Sequence, residues 1–257
     1  MFISLVSGSS GNASIIKNNN TTILLDCGLS GKKLSMTLDS IGMSCDEIDA
    51  MLITHEHTDH TQGAGVVSRR FNIPIYATEK THLAMSVGPL KEENIKIIKS
   101  DEPFEIGTIG ITPFSISHDA SDPVCYSFLV DNKKYSIATD TGIMTDKIFN
   151  SIAGSDFLML EANHDIDMLM YGDYPYDLKK RIMSNWGHLS NNLAAENAIK
   201  LLENNTHHIM LSHLSEKNND PNVAYKTVEN ALTAHGAKIG KDISLCVAKR
   251  YEVTNFS

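Results

Sequence analysis

The 257-residue chain has no run of about 18 apolar residues, the length a membrane-crossing helix needs, so no membrane span is expected. Its four cysteines, Cys27, Cys45, Cys125 and Cys246, lie far apart with no C-x-x-C spacing. That argues against a zinc ribbon and a secreted disulfide framework, and for reduced, mostly buried thiols. Positive charge is scarce: 22 Lys and Arg against 31 Asp and Glu leave a net charge of −9. The chain as a whole does not attract polyanions, and any nucleic-acid contact has to be local. The N-terminal stretch Met1 to Ser7 has no basic region and soon turns into Gly and Ser, unlike a signal peptide. The cytoplasm is the expected address.

What is present is ordinary globular composition, 42% hydrophobic and 21% charged, which excludes a disordered or fibrous class. A chain of this length buries a full core, and one compact domain over residues 1–257 is expected. Short strands are predicted at Phe2 to Val6, Ala13 to Ile16 and Thr22 to Leu25, then a helix from Lys32 to Ile41 and a buried strand from Ala50 to Ile53. Helices are predicted at Thr61 to Phe71 and Thr78 to Val87, and strands at Ile109 to Ile116, Val124 to Val130 and Lys134 to Ala138. The second half reads as helix Asp146 to Ile152, strand Phe157 to Leu160, helix Ser190 to Glu203, strand His208 to Leu211, helix Pro221 to Ala234 and strand Ser244 to Val247. Strands first and helices later, twice over, suit two sheets packed face to face with helices outside.

His55-Glu56-His57-Thr58-Asp59-His60 puts three imidazoles and two carboxylates into six residues, directly after the apolar run Ala50 to Ile53. Imidazole and carboxylate are the ligand set of borderline divalent metals, and such a density without a cation would repel or compete for solvent. His118, Asp140 and His213 follow, each just past a predicted apolar strand. Singly each means little; together they complete two coordination spheres.

The H-x-H-x-D-H string followed by His118, Asp140 and His213 resembles the signature of the metallo-β-lactamase superfamily. The resemblance implies an α/β fold, the αββα four-layer sandwich of two mixed sheets with helices outside. It also implies that His55, His57 and His118 hold one metal, Asp59, His60 and His213 a second, and Asp140 bridges. Two divalent ions, zinc or manganese with iron also compatible, are the expected cofactor. Glu161 and His188 resemble the proton-transferring glutamate and histidine of the RNase Z branch, which cuts phosphodiesters. Asp59, Glu161 and His188 are therefore expected at the chemical step.

Three further strings narrow the family: Ser7-Gly8-Ser9-Ser10-Gly11-Asn12, Glu161-Ala162-Asn163-His164-Asp165 and Gly187-His188-Leu189-Ser190-Asn191. They are similar to the YycJ/WalJ family, which implies a 5′ to 3′ exonuclease on DNA using a metal-bridging hydroxide. A small-molecule metallohydrolase acting on a lactone, thioester or cyclic phosphodiester is the alternative, because fold alone does not separate the two. DNA with 5′-phosphorylated ends is the expected partner, RNA remains open, and protein partners are unspecified. Ser9, Ser10 and Asn12, with Ser190, are the expected substrate contacts. Only 72 residues separate Asp140 from His213, too few for an inserted cap domain. Lys179-Lys180-Arg181 and Trp186 are candidates for phosphate contact and base stacking, against a solvated helix face and a core tryptophan. His82, His207, His208 and His235 receive no role, and His164 at most supports the site.

Overall fold

The computed structural model describes residues 1–256. Strands β1 (Phe2–Val6), β2 (Ala13–Lys17) and β3 (Thr22–Leu25) come first, then helix α1 (Gly31–Asp39), strand β4 (Ala50–Leu52) and helices α2 (Thr58–Thr61) and α3 (Ala64–Phe71). Next come β5 (Ile75–Thr78), α4 (Glu79–Ala84), β6 (Ile95–Ile98), β7 (Phe104–Ile106), β8 (Ile109–Ser115), β9 (Val124–Val130) and β10 (Lys133–Ala138). The remainder is α5 (Asp146–Ile152), β11 (Phe157–Glu161), α6 (Ile166–Tyr171), α7 (Tyr176–Ile182), α8 (Asn191–Glu203), β12 (His208–Ser212), α9 (Pro221–Ala234), β13 (Ser244–Val247) and β14 (Thr254–Phe256). These elements form two compact units. One comprises Met1–Ser115, Ala120–Asn132 and the residues from Lys249 onward; the other comprises Ile116–Asp119 and Lys133–Ala248.

In the first unit a seven-stranded mixed sheet has the order β14-β1-β2-β3-β4-β5-β6. β1 to β3 are antiparallel and joined by short Gly, Ser and Asn turns, whereas β3 to β6 run parallel. Parallel neighbours need a crossover, and α1, α2 with α3, and α4 supply one between each successive pair. β1, β3 and β4 are buried throughout, which is why they read as apolar or β-branched runs, broken only by Ser4. Leu34 and Leu38 of α1 and Val67 of α3 join Leu24, Met51 and Ile75 in one apolar core. β7, β8 and β9 add an antiparallel meander, with Phe104 opposite Ile111 and Phe114 opposite Cys125.

The predicted helix from Thr61 to Phe71 is two pieces, α2 and α3. Gly63 separates them: its N–H donates to the Cys27 carbonyl at 2.8 Å, and a Cβ there would sit 2.1 Å from the Leu29 carbonyl oxygen. Only glycine permits that approach. The predicted helix from Thr78 is shorter too. Thr78 ends β5, and its hydroxyl caps α4 by accepting from the Thr81 N–H.

In the second unit β10, β11, β12 and β13 are parallel and in register, with Ala138 beside Leu160, Leu160 beside Leu211 and Leu211 beside Val247. The register brings the C-terminal ends of three strands level, and that edge is where open parallel sheets bind ligands. Helices α8 and α9 pack on each other, and α9 packs on β13. No helix among the described residues is long and apolar enough to cross a membrane.

Candidate metal centre

In the first unit, β4 delivers Thr54 and His55 into a loop whose first helical turn, α2, carries Asp59 and His60. His55 and His60 are buried, and their rings lie 4.2 Å apart, centroid to centroid. His55 Nε2 is 3.0 Å from His57 Nδ1, so two imidazole nitrogens converge. Asp59 Oδ2 lies 3.4 Å from His60 Nε2, and the Asn12 amide contacts both, at 3.2 Å each. The other carboxylate of the string, Glu56, turns aside and accepts from the backbone and hydroxyl of Ser121.

Behind this cluster sits Asp26, buried at the end of β3 with φ 56°. That left-handed conformation is uncommon outside glycine, and Asp tolerates it better than most residues. Asp26 Oδ2 lies 2.8 Å from His60 Nδ1, and the carboxylate also accepts from the Thr54 N–H and hydroxyl. Having donated to Asp26, the Thr54 hydroxyl accepts from His55 Nδ1 at 3.0 Å. Both imidazoles are thereby held with Nδ1 protonated, and Nε2 carries the lone pair a metal uses. Burial lifts the Asp26 carboxyl above its ordinary value, with His60 and Thr54 opposing. Asp26 and Thr54 escaped the sequence reading; the only signal was a carboxylate at the end of an apolar strand.

The second unit repeats the construction. Asp140 lies two residues past β10, Glu161 ends β11, and His213 follows β12 directly. Asp140 and His213 also adopt positive φ, 56° and 55°. Asp140, Glu161, His188 and His213 each offer a ligand atom within 4.8 Å of the others. Asp140 Oδ1 is 3.3 Å from His213 Nε2 and 3.9 Å from His118 Nε2. His118 Nδ1 is 3.3 Å from the Gly187 carbonyl oxygen, which leaves its Nε2 toward Asp140.

Glu161 organises this cluster. It is fully buried, and its Oε1 lies 2.7 Å from His188 Nδ1 and 2.9 Å from His213 Nδ1. Oε2 accepts from the backbone N–H of Thr141 and of Leu189. Burial opposes its charge, but the two imidazoles outweigh burial and hold the carboxyl well below its ordinary value. Burial lowers His118 despite the nearby carboxylates. The sequence pairs Glu161 with His188; that the same oxygen also holds His213 is visible only in the structure.

Asparagines of two of the narrower motifs, Asn163 and Asn191, belong to a network that supports this cluster. The Asn163 side chain donates to the His213 carbonyl at 2.9 Å, and the Asn219 amide reaches the Ala162 and Asn163 carbonyls and the Asn191 side chain. Ser190, among the expected substrate contacts, is buried and caps α8 by accepting from the Leu193 N–H at 3.2 Å. Ser9 and Ser10 are exposed on the first loop, where Asn12 closes a turn by accepting from the Gly8 N–H. The donor set of both clusters, imidazole Nε2 atoms aimed by protein acceptors together with carboxylates, fits a divalent cation.

A family model described as β-lactamase superfamily domain matches residues 21–213. Exodeoxyribonuclease WalJ of Streptococcus pneumoniae is 39% identical over 245 residues, covering 94% of this chain and 91% of that protein. Exodeoxyribonuclease YycJ of Bacillus anthracis is 36% identical over 242 residues, covering 93% and 92%. The chain belongs to the metallo-β-lactamase superfamily, in its YycJ/WalJ-like family. Its α/β class with mixed sheets and flanking helices is that of the superfamily. The crystal structure of the metallo-β-lactamase fold protein YhfI from Bacillus subtilis superposes with a TM-score of 0.73 over 99% of this chain and 100% of that one. At 17% identity that likeness speaks for the fold alone.

Proposed function

We propose that this chain is a dinuclear-metal phosphodiesterase that degrades DNA from its 5′ ends. The carrying observation is Glu161, a buried carboxylate whose one oxygen holds both His188 and His213. A histidine held through Nδ1 presents Nε2 outward as a proton donor, and His188 is the partly exposed member of the two. The two relatives named exodeoxyribonucleases, similar over nearly their whole lengths, support DNA as the substrate. With a DNA substrate, the cytoplasm is the proposed address.

In this reading the two units act as one domain. His55, His57 and His118 hold one ion, Asp59, His60 and His213 the other, and Asp140 serves both. Zinc or manganese is the proposed metal, and iron suits the same ligands. Bound metal would supply Lewis acidity to activate water and positive charge to stabilise the phosphate. The chain's own part is to hold those ligands through Asp26, Thr54 and Glu161, and to protonate the departing sugar oxygen from His188. Ser9, Ser10 and Asn12 are the proposed contacts to a terminal 5′-phosphate.

The test is substrate class combined with metal content. Purified protein should hydrolyse bis-p-nitrophenyl phosphate and leave nitrocefin and lactoylglutathione intact. His188→Ala should cut turnover while retaining its metal, and Asp140→Ala should lose metal. Hydrolysis of a thioester or lactone without phosphodiester cleavage would replace the nuclease with a small-molecule hydrolase.

A further inference from the structure

α7 has no buried residue, although a helix on a globular protein normally buries an apolar stripe. It is held by polar ties instead: the Lys179 ammonium donates to the Met170 and Gly172 carbonyls at 2.8 and 2.7 Å. The segment around it exposes Tyr176 and, after the helix, Trp186, which is 61% exposed. Trp186 is the one tryptophan of the chain, and tryptophan is highly buried on average. A core tryptophan was one of the two readings of the sequence; Trp186 is on the surface.

The backbone that carries that indole is held in place. The Gly187 N–H donates to the Ser184 carbonyl and the His188 N–H to the Ile182 carbonyl, both at 2.9 Å. A Cβ on Gly187 would lie 2.1 Å from the Ile182 carbonyl oxygen, so the turn passes as close to α7 as a backbone can. Trp186 is two residues from His188 on this tight turn, so its backbone is tied to that of the proposed proton donor.

One exposed ring carries a cation, and a second cation lies on the same helix. Lys180 Nζ sits 4.7 Å above the Tyr176 ring, and the Arg181 Nε–H donates to Asp119, the neighbour of His118. In a chain of net charge −9, three consecutive cations in a segment that also exposes Tyr176 and Trp186 are a local exception. An aromatic face for a base and a cation for its phosphate are what nucleotide binding requires.

We propose that Trp186, with Tyr176, Lys180 and Arg181, is a stacking platform for an unpaired base of single-stranded DNA next to His188. The inference rests on the nuclease reading and deepens it. A base inside a duplex already has stacking partners, so the platform takes a single strand or a frayed end.

The lone tryptophan makes the test direct. The full-length protein is titrated at low salt with a single-stranded oligothymidine carrying hydrolysis-resistant phosphorothioate linkages, and intrinsic fluorescence is followed. Saturable quenching is expected. By anisotropy of the labelled oligomer, Trp186→Ala should weaken binding about tenfold. Trp186→Phe, which keeps a ring face, should stay within about threefold of the wild type. An abasic oligomer of equal length should leave the fluorescence unchanged. Absence of saturable binding, binding without quenching, or equal quenching by the abasic oligomer overturns the platform. So does an emission maximum that shifts with protein concentration without any oligomer, which would make the patch a self-association surface. Wild-type hydrolysis of bis-p-nitrophenyl phosphate, which has no base, tests the nuclease reading separately. Quenching without that hydrolysis supports the platform and removes the nuclease.

Discussion

Replacing Glu161 with Gln changes one oxygen to NH2 and keeps the shape, so it isolates what the carboxylate does. Oε1 faces two imidazole Nδ1 atoms and Oε2 faces two backbone N–H groups. Whichever way the amide turns, its NH2 meets two donors. If these are the backbone N–H groups, two buried donors lose their acceptor at about 1–3 kcal/mol each, or about 2–6 kcal/mol together. That is a large part of the roughly 5–15 kcal/mol that holds a typical domain folded. If the NH2 faces the imidazoles, His188 and His213 can accept through Nδ1 only by moving their protons to Nε2. His213 Nε2 then has no lone pair for a metal, and affinity should fall about 10- to 100-fold. Urea unfolding with EDTA reads the first cost, and metal titration by competition with a chromogenic chelator reads the second. One or both should appear in Glu161→Gln. A variant within about 0.5 kcal/mol of the wild type, and binding metal as tightly, would refute the account of Glu161.

Three other expectations come from particular residues. Burial pushes His164 down to about 4, and its Nδ1 finds no hydrogen-bond partner among the described residues. Its folded value lies below the ordinary 6.5, so the unfolded chain binds the extra proton and stability falls as pH drops from about 6.5 toward 4. Between pH 7 and pH 5 the wild type should lose about 2 kcal/mol more than His164→Gln in urea unfolding, and equal losses would contradict the assignment. A Cβ on Gly28 would lie 1.7 Å from the Asp59 carbonyl oxygen, backbone against backbone, whereas one on Gly110 meets only the Leu129 Cβ at 3.5 Å. Gly28→Ala should therefore cost at least about 3 kcal/mol, and Gly110→Ala should leave the thermal midpoint nearly unchanged. Burial pushes the Cys246 thiol up to about 11 from 9.0. At pH 8 it should react with a disulfide reagent about tenfold more slowly than an unperturbed thiol, the loss of thiolate being partly offset by its greater nucleophilicity, and rapid labelling would contradict its packing.

Strands rich in apolar residues were legible in the sequence: β1, β3 and β9 fall on their predicted residues because near-complete burial writes itself into composition. β6 was missed, since three of its four residues are exposed although it is rich in isoleucine. α7 was missed for a related reason, having no buried face to impose a helical period. Within the site, the His55-Glu56-His57-Thr58-Asp59-His60 string announces itself by density, but what aims the imidazoles does not. Asp26 lies 34 positions from His60, and Asn219 lies 28 from Asn191. Such partners are set by strand register and loop closure, which one sequence does not display. Glu161 was legible as a partner of His188, and its second hold on His213 depended on β11 and β12 being adjacent.

The most direct test uses metal-loaded protein and duplex DNA labelled at either end, with and without a 5′-phosphate, following product length over time. The account predicts stepwise release of nucleotides from the 5′-phosphorylated end, abolished in Asp59→Ala. No cleavage under zinc, manganese or iron, or shortening from the 3′ end, would contradict it.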